Sequence, residues 1–264
     1  MKIEVILTPA ELPTLANRGL KNTACVVFDV LRATSTFVTA LNNGAKAIVP
    51  VSEISEALAI RKKQPEVLLG GERDGVRISA NGIDFDLGNS PREYTPEKVR
   101  GKTIVSTTTN GTHALRVCAG AQIVLAASFL NLGATAIFLR QKNFKNISLV
   151  CAGTRENRAD EDVLAAGALC EMLIWWGKAK IGSSRCDDRT AQRAVPAKFS
   201  DSAEIARYAY AQAQFNLGAA IHNSENARRL LAIPELRDDV AFCLQRDIFP
   251  LVAKMEADGA IRTG

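Results

Sequence analysis

The chain contains 264 residues, of which 47% are hydrophobic and 23% are charged, and this composition is typical of a folded globular protein. The formal net charge of +5 is spread along the sequence without a dense basic block, so we expect no nucleic-acid partner. No apolar run is long enough to span a membrane, and residues 1–13 lack the apolar core of a signal peptide, so we expect a cytoplasmic protein without membrane attachment.

Strands and helices alternate through the first part of the chain. Short apolar or alternating runs predict strands at residues 2–8, 23–30, 45–51 and 66–71. Helical periodicity predicts helices within residues 31–44 and 52–64. The strand at 23–30 is apolar almost throughout, as expected when helices cover both faces of a sheet.

A long segment without clear periodicity follows the fourth predicted strand. Segments as long as residues 72–101 are usually functional or disordered when they occur in compact domains. Apolar residues within it, such as Phe85 and Leu87, indicate that it packs against the rest of the protein. We therefore predict a functional loop, and its polar candidates are Glu72, Arg73, Asn89 and Ser90.

The alternation continues to the C-terminal region, which is mostly helical. Further strands are predicted at residues 102–106, 122–128, 147–153 and 240–245. Further helices are predicted at residues 112–119, 131–141, 161–176, 200–214 and 224–233. This order predicts an α/β protein with three α/β/α layers, a mainly parallel or mixed sheet and a helix-rich C-terminal region. We expect a single domain over residues 1–264, or two closely packed lobes.

The turn between the strand at 102–106 and the next helix is rich in small polar residues. Its sequence, STTTNGT at 106–112, places hydroxyl groups, an amide and a glycine at the start of a helix. Free backbone N–H groups and the helix dipole make such a turn suitable for binding an anion. The alternative is a helix cap formed by Thr109 or Thr112 and nothing more.

Polar side chains are concentrated where the predicted parallel strands end. Ligands bind outside the carboxyl ends of the strands in open parallel sheets, so these side chains are expected to share one site. Few carboxylates with water and phosphate suit Mg²⁺, and the acidic candidates are Asp29, Glu72, Glu161 and Asp162. Arg32 and Arg73 suit bidentate contact with oxyanions. Together these groups predict chemistry on a phosphate ester.

Several long sequence blocks are similar to those of one known family. Resemblance to the 2-phosphosulfolactate phosphatase family is found in VVFDVLRATST, LLGGERDG, FDLGNSPREYTPEKVRGKTIVSTTTNGTHAL, EDVLAAGAL and HNSENARRLLA. The resemblance extends over nearly the whole chain. It implies a Mg²⁺-dependent phosphatase that hydrolyses 2-phospho-3-sulfolactate to 3-sulfolactate and phosphate, a step towards coenzyme M.

The resemblance and the pattern of strand ends together suggest roles for individual residues. Catalytic roles are expected for Asp29, Arg32 and Glu72, and metal binding for Asp29, Glu72, Glu161 and Asp162. Contacts to the small anionic phosphorylated substrate are expected for Thr34, Ser35, Arg73, Asn89, Ser90, Thr107, Thr108, Thr109, Asn110, Gly111 and Thr154. The alternative for Glu161 and Asp162 is that they only stabilise the start of a helix.

Three questions stay open at the level of the sequence. Asp29 can attack phosphorus to form an aspartyl-phosphate, or it can bind the metal or act as a base while water attacks. We favour attack by water, because Leu31 stands where the D-x-D-x-T motif of haloacid dehalogenases has its second Asp. The substrate can be another phosphorylated 2-hydroxy acid, or the protein can be a non-catalytic sensor of small phosphorylated or sulfonated anions. An exposed apolar face on the helix ending at Trp175 and Trp176 would favour a homodimer.

Overall fold

The computed structural model describes residues 1–80, 82–179 and 197–264. Its strands are β1 (Lys2–Ile6), β2 (Thr23–Phe28), β3 (Ala47–Pro50), β4 (Leu68–Arg73), β5 (Val76–Arg77), β6 (Ser79–Ala80), β7 (Ile83–Asp84), β8 (Thr103–Thr107), β9 (Ile123–Ala127), β10 (Asn146–Cys151), β11 (Lys198–Phe199), β12 (Ala253–Met255) and β13 (Ile261–Thr263). Its helices are α1 (Leu12–Asn17), α2 (Ala33–Asn42), α3 (Ile54–Lys63), α4 (Pro96–Val99), α5 (Gly111–Val117), α6 (Leu132–Lys142), α7 (Asp160–Ala179), α8 (Asp201–Ala213), α9 (Leu217–Ile221), α10 (Glu225–Leu231) and α11 (Arg237–Cys243).

The main sheet formed by the described residues has eleven strands, in the order β11-β1-β10-β2-β9-β12-β13-β3-β8-β4-β5. The parallel neighbours β1, β10, β2 and β9 form a first half-sheet, and the parallel neighbours β3, β8 and β4 form a second half-sheet. The antiparallel hairpin of β12 and β13 lies between β9 and β3 and joins the two halves. The mainly parallel, mixed sheet confirms the predicted α/β class.

Helices cover both faces of this sheet. On one face of the first half-sheet, α6, α7 and α8 pack in a core that includes Leu149 of β10 and Leu169 of α7. On the opposite face, Phe37 of α2 shares a second core with Val27 of β2 and Ile104 of β8. The helix α3 covers the remaining face of the second half-sheet. These layers confirm the α/β/α prediction.

Helices α2 and α5 explain how distant strand ends can meet. Helices α2 and α5 contribute Phe37 and Leu115 to one core that contains side chains from both half-sheets. Because both halves pack on the same two helices, the carboxyl ends of β2 and β4 lie across one cavity, although six steps separate these strands in the strand order.

The prediction of a strand at 240–245 is wrong, because this segment lies mainly in helix α11. Val240 and Cys243, which are three residues apart, are both buried and therefore lie on one helical face. Asp238 and Asp239 lie in the first turn, where negative charge is favourable. A short apolar run fits a buried strand or a buried helix equally well, and the acidic residues before it were the signal for a helix.

The long segment at 72–101 packs against the protein, as its apolar residues predicted. Phe85 and Leu87 are buried, and the short elements β5, β6, β7 and α4 lie within this range. The segment therefore holds its polar residues in fixed positions, which is a requirement for a functional loop.

Several predictions about the whole molecule are not decided by the fold. The apolar side chains between Val163 and Leu173 of α7 are buried in the core of the chain itself, except for that of Met172, which is half-buried against it. The side chains of Trp175 and Trp176 lie outside the described residues, and the homodimer stays a prediction. The division into one domain or two lobes also stays a prediction. No helix in the described part of the chain is long and apolar enough to cross a membrane.

Candidate active site

A polar cavity, with about 430 Å³ of empty space when the open solvent at its mouth is included, lies beyond the carboxyl ends of four strands. Strand β2 leads to Asp29, Leu31 and Arg32, β4 to Glu72 and Gly75, β8 to Thr109 and Asn110, and β10 to Gly153. The remaining lining residues are Asn89 of the long loop and Asn226, Arg229 and Leu230 of α10. The structure therefore brings together residues from six separate parts of the sequence.

Asp29 is buried at the end of β2, and only one of its oxygens, Oδ1, accepts a hydrogen bond from the described residues. That bond comes from the backbone N–H of Ala33, at 3.1 Å. The other oxygen faces Gly111, where an added Cβ atom would lie 2.5 Å from Oδ2. The absence of a side chain at Gly111 is therefore what leaves room for the carboxylate. Burial, assisted by the charges of Glu72 and Glu161, raises the pKa of Asp29 to about 7.

Thr34 and Ser35, which we predicted to bind substrate, instead shape the turn after β2. The Thr34 hydroxyl donates to the carbonyl of Asp29 at 2.9 Å and accepts from its N–H at 3.0 Å. The Ser35 hydroxyl donates to the carbonyl of Val30 at 2.8 Å. Both side chains are fully buried and neither lines the cavity. Their contacts fix the backbone that carries Asp29.

Arg32 is buried beside the cavity and is held by an acidic residue from the far end of the chain. Its Nη1 donates to Oδ2 of Asp239 at 2.7 Å, and its Nη2 donates to the carbonyl of Gly75 at 2.8 Å. The hydroxyl of Ser90 donates to Oδ1 of the same Asp239 at 2.7 Å. Ser90 therefore holds the partner of Arg32 and does not line the cavity, and its contact to the substrate stays a prediction. Asp239 was missed because its segment was interpreted as the approach to a strand.

Glu72 lines the cavity while linking two loops. Its Oε1 accepts from the N–H and from the hydroxyl of Thr109, both at 2.9 Å. Its Oε2 accepts from the N–H of Gly75 at 2.7 Å. The next residue, Arg73, donates to the hydroxyl of Thr107 at 2.9 Å, so these two predicted substrate contacts bind one another outside the cavity lining.

The turn at 106–112 is capped by its own side chains. The Thr108 hydroxyl accepts from the N–H of Thr112 at 3.2 Å, and the Thr112 hydroxyl accepts from the N–H of Thr108 at the same distance. Asn110 donates through its amide to the carbonyl of Gly153 at 3.0 Å. Only Thr109 and Asn110 of this turn line the cavity. Thr108, and neither Thr109 nor Thr112, therefore caps the start of the helix, while Thr109 and Asn110 form one edge of the cavity.

The acidic residues at the start of α7 lie behind the cavity and differ from one another. Asp162 accepts from the N–H of Val30 at 2.8 Å and from that of Gly153 at 3.0 Å, so both of its oxygens hold loops. Burial and the charge of Asp29 raise the pKa of Asp162. Asp162 therefore positions the ends of β2 and β10.

Glu161 has one oxygen held by protein and one without a partner. The Asn226 amide donates to Oε1 of Glu161 and to the hydroxyl of Thr154, both at 2.7 Å. Oε2 of Glu161 is buried and has no hydrogen-bond partner among the described residues. Burial raises the pKa of this carboxyl group. A buried oxygen without a donor is uncommon in native structures and is accounted for when an ion or water binds there.

The donor set around Asp29 and Glu161 fits Mg²⁺ only when other ligands complete its coordination. No three His, Cys, Asp or Glu side chains within the described ranges are grouped closely enough to hold a metal ion alone. Each of these two carboxylates nevertheless has an oxygen that accepts no hydrogen bond from the described residues. Few protein carboxylates, completed by water and substrate phosphate, are the coordination that Mg²⁺ prefers.

Carboxylates, a fixed guanidinium and amide groups around one cavity at the strand ends define an enzyme of small anionic substrates. Comparison with known proteins agrees. A family described as 2-phosphosulpholactate phosphatase matches residues 7–258, and the chain belongs to this family of phosphoric monoester hydrolases.

Curated relatives resemble the chain over most of their own length. A probable 2-phosphosulfolactate phosphatase of Caldanaerobacter subterraneus subsp. tengcongensis is 38% identical over 252 residues, covering 95% of this chain and 94% of that protein. A protein of the same name from Thermotoga petrophila is 41% identical over 227 residues and 86% of both chains. Another from Clostridium perfringens is 34% identical over 267 residues, covering all of this chain and 96% of that protein.

Proposed function

We propose that this enzyme hydrolyses 2-phospho-3-sulfolactate to 3-sulfolactate and phosphate with the help of Mg²⁺. The observation that carries the proposal is that Asp29 and Arg32 lie on one turn and line the same cavity. Family membership supports the substrate, because the relatives are named as probable phosphatases of 2-phosphosulfolactate.

Arg32 is suited to hold the phosphate. Two of its N–H groups are used by Asp239 and Gly75, which leaves the other donors of the guanidinium for oxygen atoms of the ester. Its position is fixed before substrate arrives, because the ion pair with Asp239 is buried. A fixed donor aimed at a transferring phosphoryl group stabilises the charge that develops on it.

Asp29 is suited to accept a proton from the attacking water. Its pKa of about 7 means that, at neutral pH, the carboxyl group is balanced between its two protonation states. Its Oδ1 is fixed by Ala33, so Oδ2 is the atom that would take the proton. We favour this role over direct attack on phosphorus by Asp29.

Mg²⁺ would be held by Glu161 beside Asp29, with water and the phosphate completing its coordination, whereas Glu72 is occupied by its three hydrogen bonds. When bound, the ion would neutralise negative charge on the phosphate and favour attack by water. Asp162 would not bind the metal itself, because its two oxygens already accept backbone N–H groups. It would hold the loops at the ends of β2 and β10 in place. Thr109 and Asn89 would contact the substrate from the opposite loops, where both line the cavity.

Phosphate release from 2-phospho-3-sulfolactate tests the function. We expect release with Mg²⁺, loss of release with EDTA, and recovery when Mg²⁺ is added back. Asp29→Asn should slow release about 10³-fold, whereas Asp201→Asn, the same change at an exposed position, should not. Release from 2-phospholactate or 2-phosphoglycerate but not from 2-phospho-3-sulfolactate would assign the enzyme to another substrate. No release from any of them would favour the sensor of small anions.

Acid quenching separates the two mechanisms. A single turnover of ³²P-labelled substrate with enzyme in excess should be quenched in acid at early times. Direct attack by water leaves no ³²P bound to the protein. Transient ³²P label on Asp29 would show that Asp29 attacks phosphorus and would overturn the role proposed for it.

The product and the cysteines suggest where the reaction takes place. We propose that 3-sulfolactate formed here supplies a route towards coenzyme M, and that the enzyme acts in the cytoplasm. Cys25 and Cys118 are buried and free, although they are close enough for Cys118 to raise the pKa of Cys25. We expect these neighbouring thiols to stay reduced, as is usual in the cytoplasm.

A further inference from the structure

We propose that Arg229 binds the second anionic group of the substrate, its sulfonate or carboxylate, and thereby sets the specificity of the cavity. This rests on the function proposed above. It assigns a role to helix α10, whose residues were not among the predicted site residues.

Helix α10 presents one face to the cavity. Asn226, Arg229 and Leu230 all line it, and their spacing of three and four residues places them on the same side of the helix. Asn226 anchors this face through its hydrogen bonds to Glu161 and Thr154. The guanidinium of Arg229 is therefore carried by an element that is tied to the acidic side of the site.

Arg229 and Arg32 lie close to the same glycine. The carbonyl of Gly75 accepts from Arg32, and an added Cβ at Gly75 would lie 3.6 Å from Cδ of Arg229. Within the described part of the chain, these two arginines are the basic residues that line the cavity. The cavity therefore has two cationic groups on neighbouring parts of its lining, which matches a small molecule with two anionic groups.

The two arginines differ in how much of their charge is available. Arg32 pairs with Asp239 at 2.7 Å where both side chains are buried, so much of its charge is offset. Arg229 pairs with Glu225 at 3.0 Å, and these side chains are 30% and 43% exposed. An exposed pair of this kind is weak, so Arg229 can exchange Glu225 for an anionic ligand at little cost. We assign the phosphate to Arg32 and the Mg²⁺ ligands, and the second anion to Arg229.

Three phosphate esters test this assignment with the Mg²⁺-loaded enzyme. They are 2-phospho-3-sulfolactate, 2-phospholactate, which lacks the sulfonate, and isopropyl phosphate, which lacks both further anions. Arg229→Ala should lower kcat/KM for 2-phospho-3-sulfolactate about 30-fold, mainly through KM, and leave isopropyl phosphate unchanged. An equal loss on 2-phospholactate would assign the carboxylate to Arg229, and no loss there would assign the sulfonate.

The matched control is Arg228→Ala, which removes an exposed arginine from the same helix. It should leave kcat/KM unchanged for all three esters. Arg229→Lys should recover part of the kcat/KM that Arg229→Ala loses. An equal loss on all three esters, isopropyl phosphate included, or no loss on any of them, would overturn the assignment.

Binding of 3-sulfolactate, measured by calorimetry, separates this inference from the proposed function. A wild-type enzyme that releases no phosphate from 2-phospho-3-sulfolactate would overturn the function. The assignment of Arg229 would then be decided by whether Arg229→Ala weakens binding of 3-sulfolactate about 30-fold. Unchanged binding, or no binding to the wild type, would overturn it.

Discussion

The acidic residues on the two sides of the cavity, one beside each half-sheet, differ in how many hydrogen bonds their carboxylates accept. On the side of the first half-sheet, Asp29 and Glu161 each keep an oxygen that accepts no hydrogen bond from the described residues. On the side of the second half-sheet, Glu72 accepts three hydrogen bonds from the loops around it. The number of protein donors around a carboxylate therefore distinguishes a group left for chemistry from one that mainly builds the site.

The largest expected effect is on the first side, at Asp29. Asp29→Asn should lower kcat by about 10³-fold, because the amide cannot accept the proton of the attacking water. Steady-state phosphate release checks this. Less than a few-fold loss would show that Asp29, like Glu72, is a residue that builds the site.

The same variant makes a prediction about stability. Because folding raises the pKa of Asp29 from an ordinary value of 3.8 to about 7, its charge opposes folding increasingly as the pH rises between these values. Without Mg²⁺, Asp29→Asn should therefore raise Tm by roughly 5 °C at pH 8 and by much less at pH 4.5. A lower Tm at pH 8 would show that the carboxylate stabilises the fold.

Glu161 tests whether the buried oxygen without a partner is a metal ligand. Glu161→Gln should weaken Mg²⁺ binding about 10- to 100-fold, because it removes the charge while keeping the oxygen that accepts from Asn226. Calorimetric titration with Mg²⁺ measures this. Asp160→Asn, at the half-exposed neighbouring position, is the control, and equal affinities in both variants would leave Glu161 with a structural role.

The stability should change in opposite directions at Glu72 and at Asp29. In Glu72→Gln the amide nitrogen faces either the N–H of Gly75 or the N–H and the hydroxyl of Thr109, so at least one hydrogen bond is lost. We expect a loss of about 1–3 kcal/mol in the free energy of unfolding. Urea denaturation measures it, with Glu66→Gln as the exposed control. Unchanged stability would remove the distinction between the two sides.

The smallest expected effect is at Thr109, which donates to Glu72. Thr109→Val removes the hydroxyl that donates to Glu72 and keeps the backbone N–H that also donates. The expected loss is about 1 kcal/mol of stability. Thr109→Ser, which retains the hydroxyl, should lose less, and a serine variant as unstable as the valine variant would assign the effect to the lost methyl group.

From the sequence, the location of the cavity was easier to predict than the role of each residue around it. Asp29, Arg32 and Glu72 follow apolar strands, and parallel strands present their carboxyl ends to one region, so their shared cavity could be anticipated. Whether a hydroxyl such as that of Ser90 contacts a ligand or a carboxylate depends on a partner 149 residues away. Local patterns contain no information on such a pair.

The same limit applies to the sheet. The parallel strands of the two half-sheets were predicted from their apolar runs, but β12 and β13 are only three residues each and carry little signal. Their place between β9 and β3 is set by tertiary packing, with Ala253 and Ile261 buried in the core around α2. Asn226 and Arg229 lie in a predicted helix, yet only the three-dimensional structure shows that its face meets the cavity.

The position of the hairpin has a consequence for synthesis on the ribosome. All strands of both half-sheets have been made once residue 151 is reached, but the residues that join them, 253–263, emerge much later. Until then, β9 and β3 lack their hairpin neighbours, and unpaired edges of this kind favour pairing with other chains. The nascent chain is therefore expected to need protection from aggregation until residues 253–263 have been made, and the enzyme to become competent only after that.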